Sequence, residues 1–414
     1  MTSRERVNSA INHKEPDMVP IDLGSTETTG ISAIAYHNLK KLLGMRSGQT
    51  RIYDITQQLA QPEDEILDRF KVDTVHLGRF FNDNEDDWYD IEVNGIPAQF
   101  PSWFSPKHNE DGSMEVVHPD GTVLARMSEA ALVFDQTFWP CYNKYPENIS
   151  GFLQALTKYQ GFALVTTPFD KLNQKGFWRK LRKETIEHKK TTDRALILHM
   201  GLSLFEFGTG MRRMDKFLID IIRRPNKVEK FLDIVLEFNF AALSLVCKYL
   251  GDLVDVIGIG DDLGENKGPF MNPKAYRKIF KPRHESMCDY IKNHSNMKIF
   301  FHSCGSIVPF IYDFIEIGID ILNPVQINAK GMEPKFLKEE FGGDITFWGG
   351  GADTRNVITR KSPEDVKKHV TELLEIFAPG GGYIWNTVHN ILPDVPPENI
   401  VAMFEALHEY NEKI

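Results

Sequence analysis

Cysteine is scarce in this chain. Cys141, Cys247, Cys288 and Cys304 are the only four in 414 residues, and they are too widely scattered to form a disulfide framework. That usage points to a reducing, cytoplasmic setting. Positive charge is also in deficit: 48 Lys and Arg stand against 58 Asp and Glu, a formal net charge of −10. Such a balance argues against a general nucleic-acid or anionic-membrane surface. No apolar run reaches the length of a membrane-spanning helix, and the opening from Met1 to Asp17 is polar and helical in pattern, unlike a leader peptide. Short repeats and low-complexity linkers are missing. So are G-x-S-x-G, the Walker A loop and H-E-x-x-H, which removes the commonest serine-hydrolase, nucleotide-binding and zinc-protease signatures.

What remains is ordinary globular material, 42% apolar and 26% charged, enough for a sizeable core. Short apolar runs alternate with longer helical patterns. Expected strands are Val19–Leu23, Val72–Gly78, Arg194–Gly201, Leu253–Asp262, Met297–Gly305, Ile319–Val325, Ile345–Gly351 and Gly382–Val388. Several lack polar alternation, as strands covered on both faces should. Helices are expected over Pro225–Gly251, Pro273–Asn293, Ser306–Ile317, Ser362–Phe377 and Pro397–Tyr410, with proline or a capping serine at or near several starts. Eight strands alternating with helices favour a closed (β/α)8 TIM barrel, with an open doubly wound sheet as the alternative. The stretch 80–193 breaks the alternation. Turn signals and aromatic density there suggest inserted β-hairpins over Trp88–Met127 and helical cover around them. The expectation is therefore one barrel domain over 1–414 with an insertion at about 80–193.

In such a barrel the chemistry sits at the C-terminal strand ends. Reading those ends gives Asp22, His76, His199, Asp261, Asp262, His302, Cys304, Asn323, Gln326 and His389. Individually, some of these would cap helices or satisfy loop backbone. The sharpest local pattern is Phe301-His302-Ser303-Cys304-Gly305. Residues i and i+2 of a strand face the same side, so His302 and Cys304 can address one metal, and imidazole with thiolate is a natural zinc pair. The bland alternative is a buried cysteine beside a hydrogen-bonded histidine. A further ligand is needed, and Asp261 or Asp262 on the neighbouring strand end is the candidate, unless they cap or hold substrate. Two glycine-rich pieces, Gly258-Ile259-Gly260 and Gly349-Gly350-Gly351, follow strand patterns but lack dinucleotide spacing.

The stretches Phe301–Ile307, Gly318–Gln326, Ile345–Asp353 and Gly380–Asn399 resemble the uroporphyrinogen decarboxylase superfamily, with His389 matching its strand-eight histidine. The resemblance implies a (β/α)8 barrel. Its namesake enzymes grip an octacarboxylate through an arginine-rich N-terminal segment, and the matching Pro20–Thr29 has no arginine. The chain is more similar to the corrinoid-dependent methyltransferase branch. There H-x-C and a later cysteine bind zinc; His302 and Cys304 match the first two, whereas Gly381 stands near the place of the third. The implied function is demethylation of a small O-methylated compound, an aryl methyl ether, with transfer of the methyl group to the Co(I) corrinoid (cobalamin) of a partner protein. A decarboxylase or lyase acting on a small acid or a tetrapyrrole is the alternative. Implied roles are zinc ligation by His302, Cys304 and Asp262; protonation of the leaving oxygen by His389 or Asp261; and substrate contact by His199, Asn323, Gln326 and Trp348. Expected partners are the corrinoid protein and the methylated substrate, without nucleic acid or membrane. A homodimer is implied by the resemblance alone.

Overall fold

Side-chain alternation along the parallel strands decides what fills the middle of the molecule. In the computed structural model, which describes residues 1–45 and 48–414, a seven-stranded sheet forms one curled parallel layer. Its order is Tyr383–Ile384, Thr346–Trp348, Ile321–Asn323, Lys298–His302, Val256–Gly260, Ala195–His199, Thr74–His76. All neighbours are parallel. Residues 20–22 close the ring: Ile21 bridges Trp385 in parallel, Asp22 N donates to Trp385 O at 2.9 Å, and Asp73 N donates to Ile21 O at 2.8 Å. The expected barrel is thus present, although its first strand is only a single bridge long.

Ala195, Ile197, Val256, Phe300, Ile321, Trp348 and Ile384 point inward and form one buried cluster. Val7, Ala10 and Ile11 of the Ser3–Ile11 helix complete it, so this helix stoppers the N-terminal end of the barrel. The opposite faces of the strands pack against the surrounding helices in a much larger cluster. Because inward residues recur every second position, the next inward layer toward the C-terminal end is His199, Gly258, Gly260, His302 and Asn323.

The Pro225–Leu250, Pro363–Phe377 and Pro397–Asn411 helices lie where the sequence places them. The expected Pro273–Asn293 helix is two, Pro273–Ile279 and Lys281–His294. Pro282 has no N–H and closes off a continuous helix, while suiting the first turn of a new one. The insertion carries the Trp88–Val93/Ile96–Pro101 hairpin and a four-stranded antiparallel sheet from Lys107–His108 to Asp135–Gln136. No helix among the described residues is long and apolar enough to cross a membrane.

Candidate active site

His302 ends its strand facing the barrel mouth, and Cys304 follows on the same side. The loop between them is held from two directions. Cys304 N donates to Asp262 Oδ1 at 2.8 Å, and Gly305 N donates to Gln326 Oε1 at 2.8 Å. Gly305 adopts φ +87°, and a Cβ there would strike the Gly264 carbonyl, so only glycine allows this approach. Cys304 Sγ comes to rest 3.4 Å from His302 Nε2.

The orientation of the imidazole is set from behind. Asn323 Nδ2 donates to Trp348 O at 2.9 Å, which turns its Oδ1 toward His302 Nδ1 at 2.7 Å. That network turns Nδ1 to Asn323 and makes Nε2 the nitrogen that faces the mouth. The His389 ring stands across from it, centroids 5.8 Å apart. Ligand atoms of His302, Cys304 and His389 all lie within 4.8 Å of one another, and among the described residues no other three His, Cys, Asp or Glu side chains close to that degree. Asp262 Oδ1 is 3.4 Å from His302 Nε2. Zinc–ligand bonds of 2.0–2.3 Å in a tetrahedron require donors about 3.3–3.8 Å apart. The 3.4 Å sulfur–nitrogen spacing meets that, and the His389 nitrogen lies within 4.8 Å of both; a thiol and two imidazoles gathered at one point are donors of the chemistry that suits the ion the resemblance implies.

Charge is concentrated here. Burial disfavours the His302 imidazolium, but the Cys304 sulfur and the Asp262 carboxylate outweigh it and hold its pKa well above the ordinary value. Burial raises the Cys304 thiol, with the His302 charge opposing. Asp262 is pulled down to about 2; burial works against this, but hydrogen bonding to His302 and its charge prevail. His389 is pushed down to about 4 by burial and by the His302 charge. Glu206 is pushed up to about 8 by burial and then by Asp262 and Asp261. A cleft of about 310 Å³ opens over Cys304 and His389, bounded also by Gln326, Asn266, Arg355 and Arg360.

Other expected residues lie elsewhere. Asp261 is wholly buried; its carboxylate accepts from Leu204 N, from Glu206 N and from His284 Nε2, all within 3.0 Å. It ties down the loop after the Ala195–His199 strand and has no free oxygen for a leaving group. Trp348 is not a pocket wall either. Its ring is fully buried against Phe300 and its indole N–H donates to Asp22 Oδ2 at 2.8 Å, below the mouth. Asn323 and Gln326 serve His302 and the Cys304 loop. His199 faces the mouth and bonds through Nδ1 to Glu27 Oε2 at 2.6 Å. Glu27 and Glu206 escaped the sequence analysis because neither ends a strand; Glu27 sits in a loop pinned by Asn390 and Gln57, and Glu206 in the first turn of the Phe205–Arg212 helix, whose start Asp261 holds.

Residues 203–410 match the family model described as Uroporphyrinogen decarboxylase (URO-D). The curated relatives share only short segments. The uroporphyrinogen decarboxylase of Pseudoalteromonas translucida is 40% identical over 52 residues, 13% of this chain and 15% of that protein. That of Legionella pneumophila (strain Corby) is 36% identical over 72 residues, 17% and 20% respectively. Among solved structures, a methyltransferase from Methanosarcina mazei superposes over 99% of both chains, with TM-score 0.58 and 16% identity, and shares the fold. By the match of half its length, which includes the His302, Cys304 and His389 segments, the chain belongs to the uroporphyrinogen decarboxylase (URO-D) family.

Proposed function

We propose that this chain is a methyltransferase that demethylates a small O-methylated compound, an aryl methyl ether, and delivers the methyl group to the Co(I) corrinoid of a partner protein. The observation that carries this reading is the His302–Cys304–His389 donor trio at the mouth of the barrel. His302 Nε2, Cys304 Sγ and the His389 ring would hold zinc, with the Asp262 carboxylate at its edge. His389 thereby changes role, from proton donor to ligand: its position within the trio and its preference for the neutral ring both suit a metal bond. A zinc ion there would supply a Lewis acid for the ether oxygen, on which negative charge grows as its bond to the methyl carbon breaks.

The chain's own groups do the rest. Asn323 fixes the tautomer and tilt of His302. Asp262 holds the Cys304 amide and so the direction of the sulfur. Glu206, whose pKa burial and then the Asp262 and Asp261 charges push up to about 8, would be the nearby store of a proton for the departing oxygen, in place of Asp261. The barrel as a whole supplies orientation and exclusion of water, while the corrinoid, as co-substrate, brings the nucleophile.

The namesake decarboxylation is less well served. An octa-anionic substrate would meet the Glu27 and Asp262 carboxylates, and no arginine lies in the 20–29 segment. The test is metal analysis of the purified protein, followed by methyl transfer to cob(I)alamin from methyl ethers, methylamines and methanol. Stoichiometric zinc and transfer from an ether are expected; carbon dioxide release without methyl transfer would overturn the reading.

A further inference from the structure

The arginine-free segment 20–29 turns its hydroxyl groups inward. Thr26, Thr28 and Thr29 are all buried, and a buried hydroxyl costs free energy unless it is bonded. Gly24 takes φ +83° and its N donates to Thr29 O at 2.8 Å, which closes residues 24–29 into a tight loop. Within it Thr26 N donates to Thr29 Oγ1 at 3.1 Å, and from outside Tyr53 Oη donates to Thr26 O at 3.2 Å. One hydroxyl reaches out of the loop toward the metal-donor trio. Thr28 Oγ1 donates to Asn323 Oδ1 at 3.1 Å.

That oxygen is the one His302 faces. An amide oxygen accepts two hydrogen bonds; His302 Nδ1 takes one place at 2.7 Å and Thr28 the other. Because the Thr28 hydrogen goes to Asn323, the hydrogen in the 2.9 Å contact between Thr26 Oγ1 and Thr28 Oγ1 belongs to Thr26. Donors thus run from Thr26 to Thr28 to Asn323, and they end behind the imidazole. The same loop also holds the strand end of the second histidine. Asn390 follows His389; Gly30 N donates to Asn390 Oδ1 at 2.6 Å, Asn390 Nδ2 donates to Glu27 O at 3.0 Å, and Ile391 N donates to Gly30 O at 2.9 Å. One short loop therefore stands behind His302 and beside His389 at once. An amide oxygen with a single donor lets the side chain rock about that contact, whereas a second donor from the other side fixes its plane.

We propose that Thr28 is a positioning residue of the donor trio: its hydroxyl locks the Asn323 amide, and through it the direction in which His302 Nε2 is presented to a metal ion. The inference rests on the zinc reading above. It goes beyond that reading by giving the arginine-free segment a task, the scaffold of the metal site rather than a grip on substrate. Thr28 acts only through Asn323, so its effect must disappear when Asn323 is gone.

Thr28→Val keeps the shape of the side chain and removes the hydroxyl. Zinc affinity of the full-length protein, read by competition with a chromophoric chelator, should fall by about tenfold, the lower end of what partners orienting a ligating histidine contribute. Thr28→Ser restores the donor and should bind zinc as the unaltered protein does. In an Asn323→Ala background Thr28→Val should bring no further loss, since coupled residues do not add. Co(II) in place of zinc gives a spectroscopic reading that a general loss of stability would not move: its ligand-field bands should shift in Thr28→Val and stay in place in Thr28→Ser. Should Thr28→Val fail to fold, Thr28→Ala takes its place with the same expected outcomes. Equal zinc affinity with an unmoved Co(II) spectrum in the hydroxyl-free variant overturns the inference. So do losses that add in the double variant, or a Thr28→Ser protein as weak as Thr28→Val. An unaltered protein that binds neither zinc nor Co(II) removes the zinc reading, and this one with it.

Discussion

Asn323 Oδ1 stands 2.7 Å from His302 Nδ1, and the same amide's nitrogen is committed to the Trp348 carbonyl. One side chain, wholly buried, thus decides which nitrogen of His302 faces the mouth. Partners of this kind commonly matter 10–100-fold for metal affinity. Asn323→Ala should weaken zinc binding by roughly that factor without removing any ligand, as read by competition with a chromophoric chelator.

Removing donors should do more. Cys304→Ser and His389→Ala are each expected to purify with well under one equivalent of zinc and to lose ether demethylation. Chelation of the unaltered protein should lower its Tm, because an ion bound only by the folded state stabilises it by mass action. Full zinc content in His389→Ala would return the third ligand to Asp262.

Asp261→Ala tests the contrary assignment. Its carboxylate satisfies two backbone N–H groups and His284 in a dry interior. Leaving them unpaired should cost about 3–5 kcal/mol, seen as a reduced urea midpoint. Zinc content of the protein that remains folded should be unchanged. A normal urea midpoint with abolished turnover would restore Asp261 to the chemistry.

A pH effect follows from Asp54, whose pKa burial and then the Glu27 charge push up to about 6. The folded state holds this proton more tightly than the unfolded chain does. Its contribution to stability is therefore complete below about 3.8 and is lost as pH rises through about 6. Asp54→Asn should stabilise the protein above pH 6, by about 1–3 kcal/mol, less whatever the Gln57 contacts lose, and bring no gain at pH 3.5. Denaturant titrations at the two pH values supply the comparison.

Much of the barrel could be read from the chain because the relevant signals are local. Strand runs such as Ile299-Phe300-Phe301 and the proline-led helices carry their own period and punctuation. The H-x-C pair was legible for the same reason, since two-residue spacing on a strand fixes a shared face. What sequence could not supply was contact across the barrel. Trp348 and Asp261 end strands as a site residue should, yet one turns into the interior and the other into a loop, and only the partners reveal which. Glu27 reaches His199 across 172 positions, a pairing with no periodicity to announce it. The single-bridge first strand is similar: Ile21 is held by Trp385 at the far end of the chain.

The Ser3–Ile11 helix stoppers one end of the barrel. A vessel with a plugged base has a single doorway. Under the proposed methyl transfer, a small molecule and a bulky protein partner would share that doorway, so the small one would enter before the larger visitor covered the threshold and would leave after it moved off. On that reading the order of events would be set by the stopper, far from the groups that carry out the chemistry.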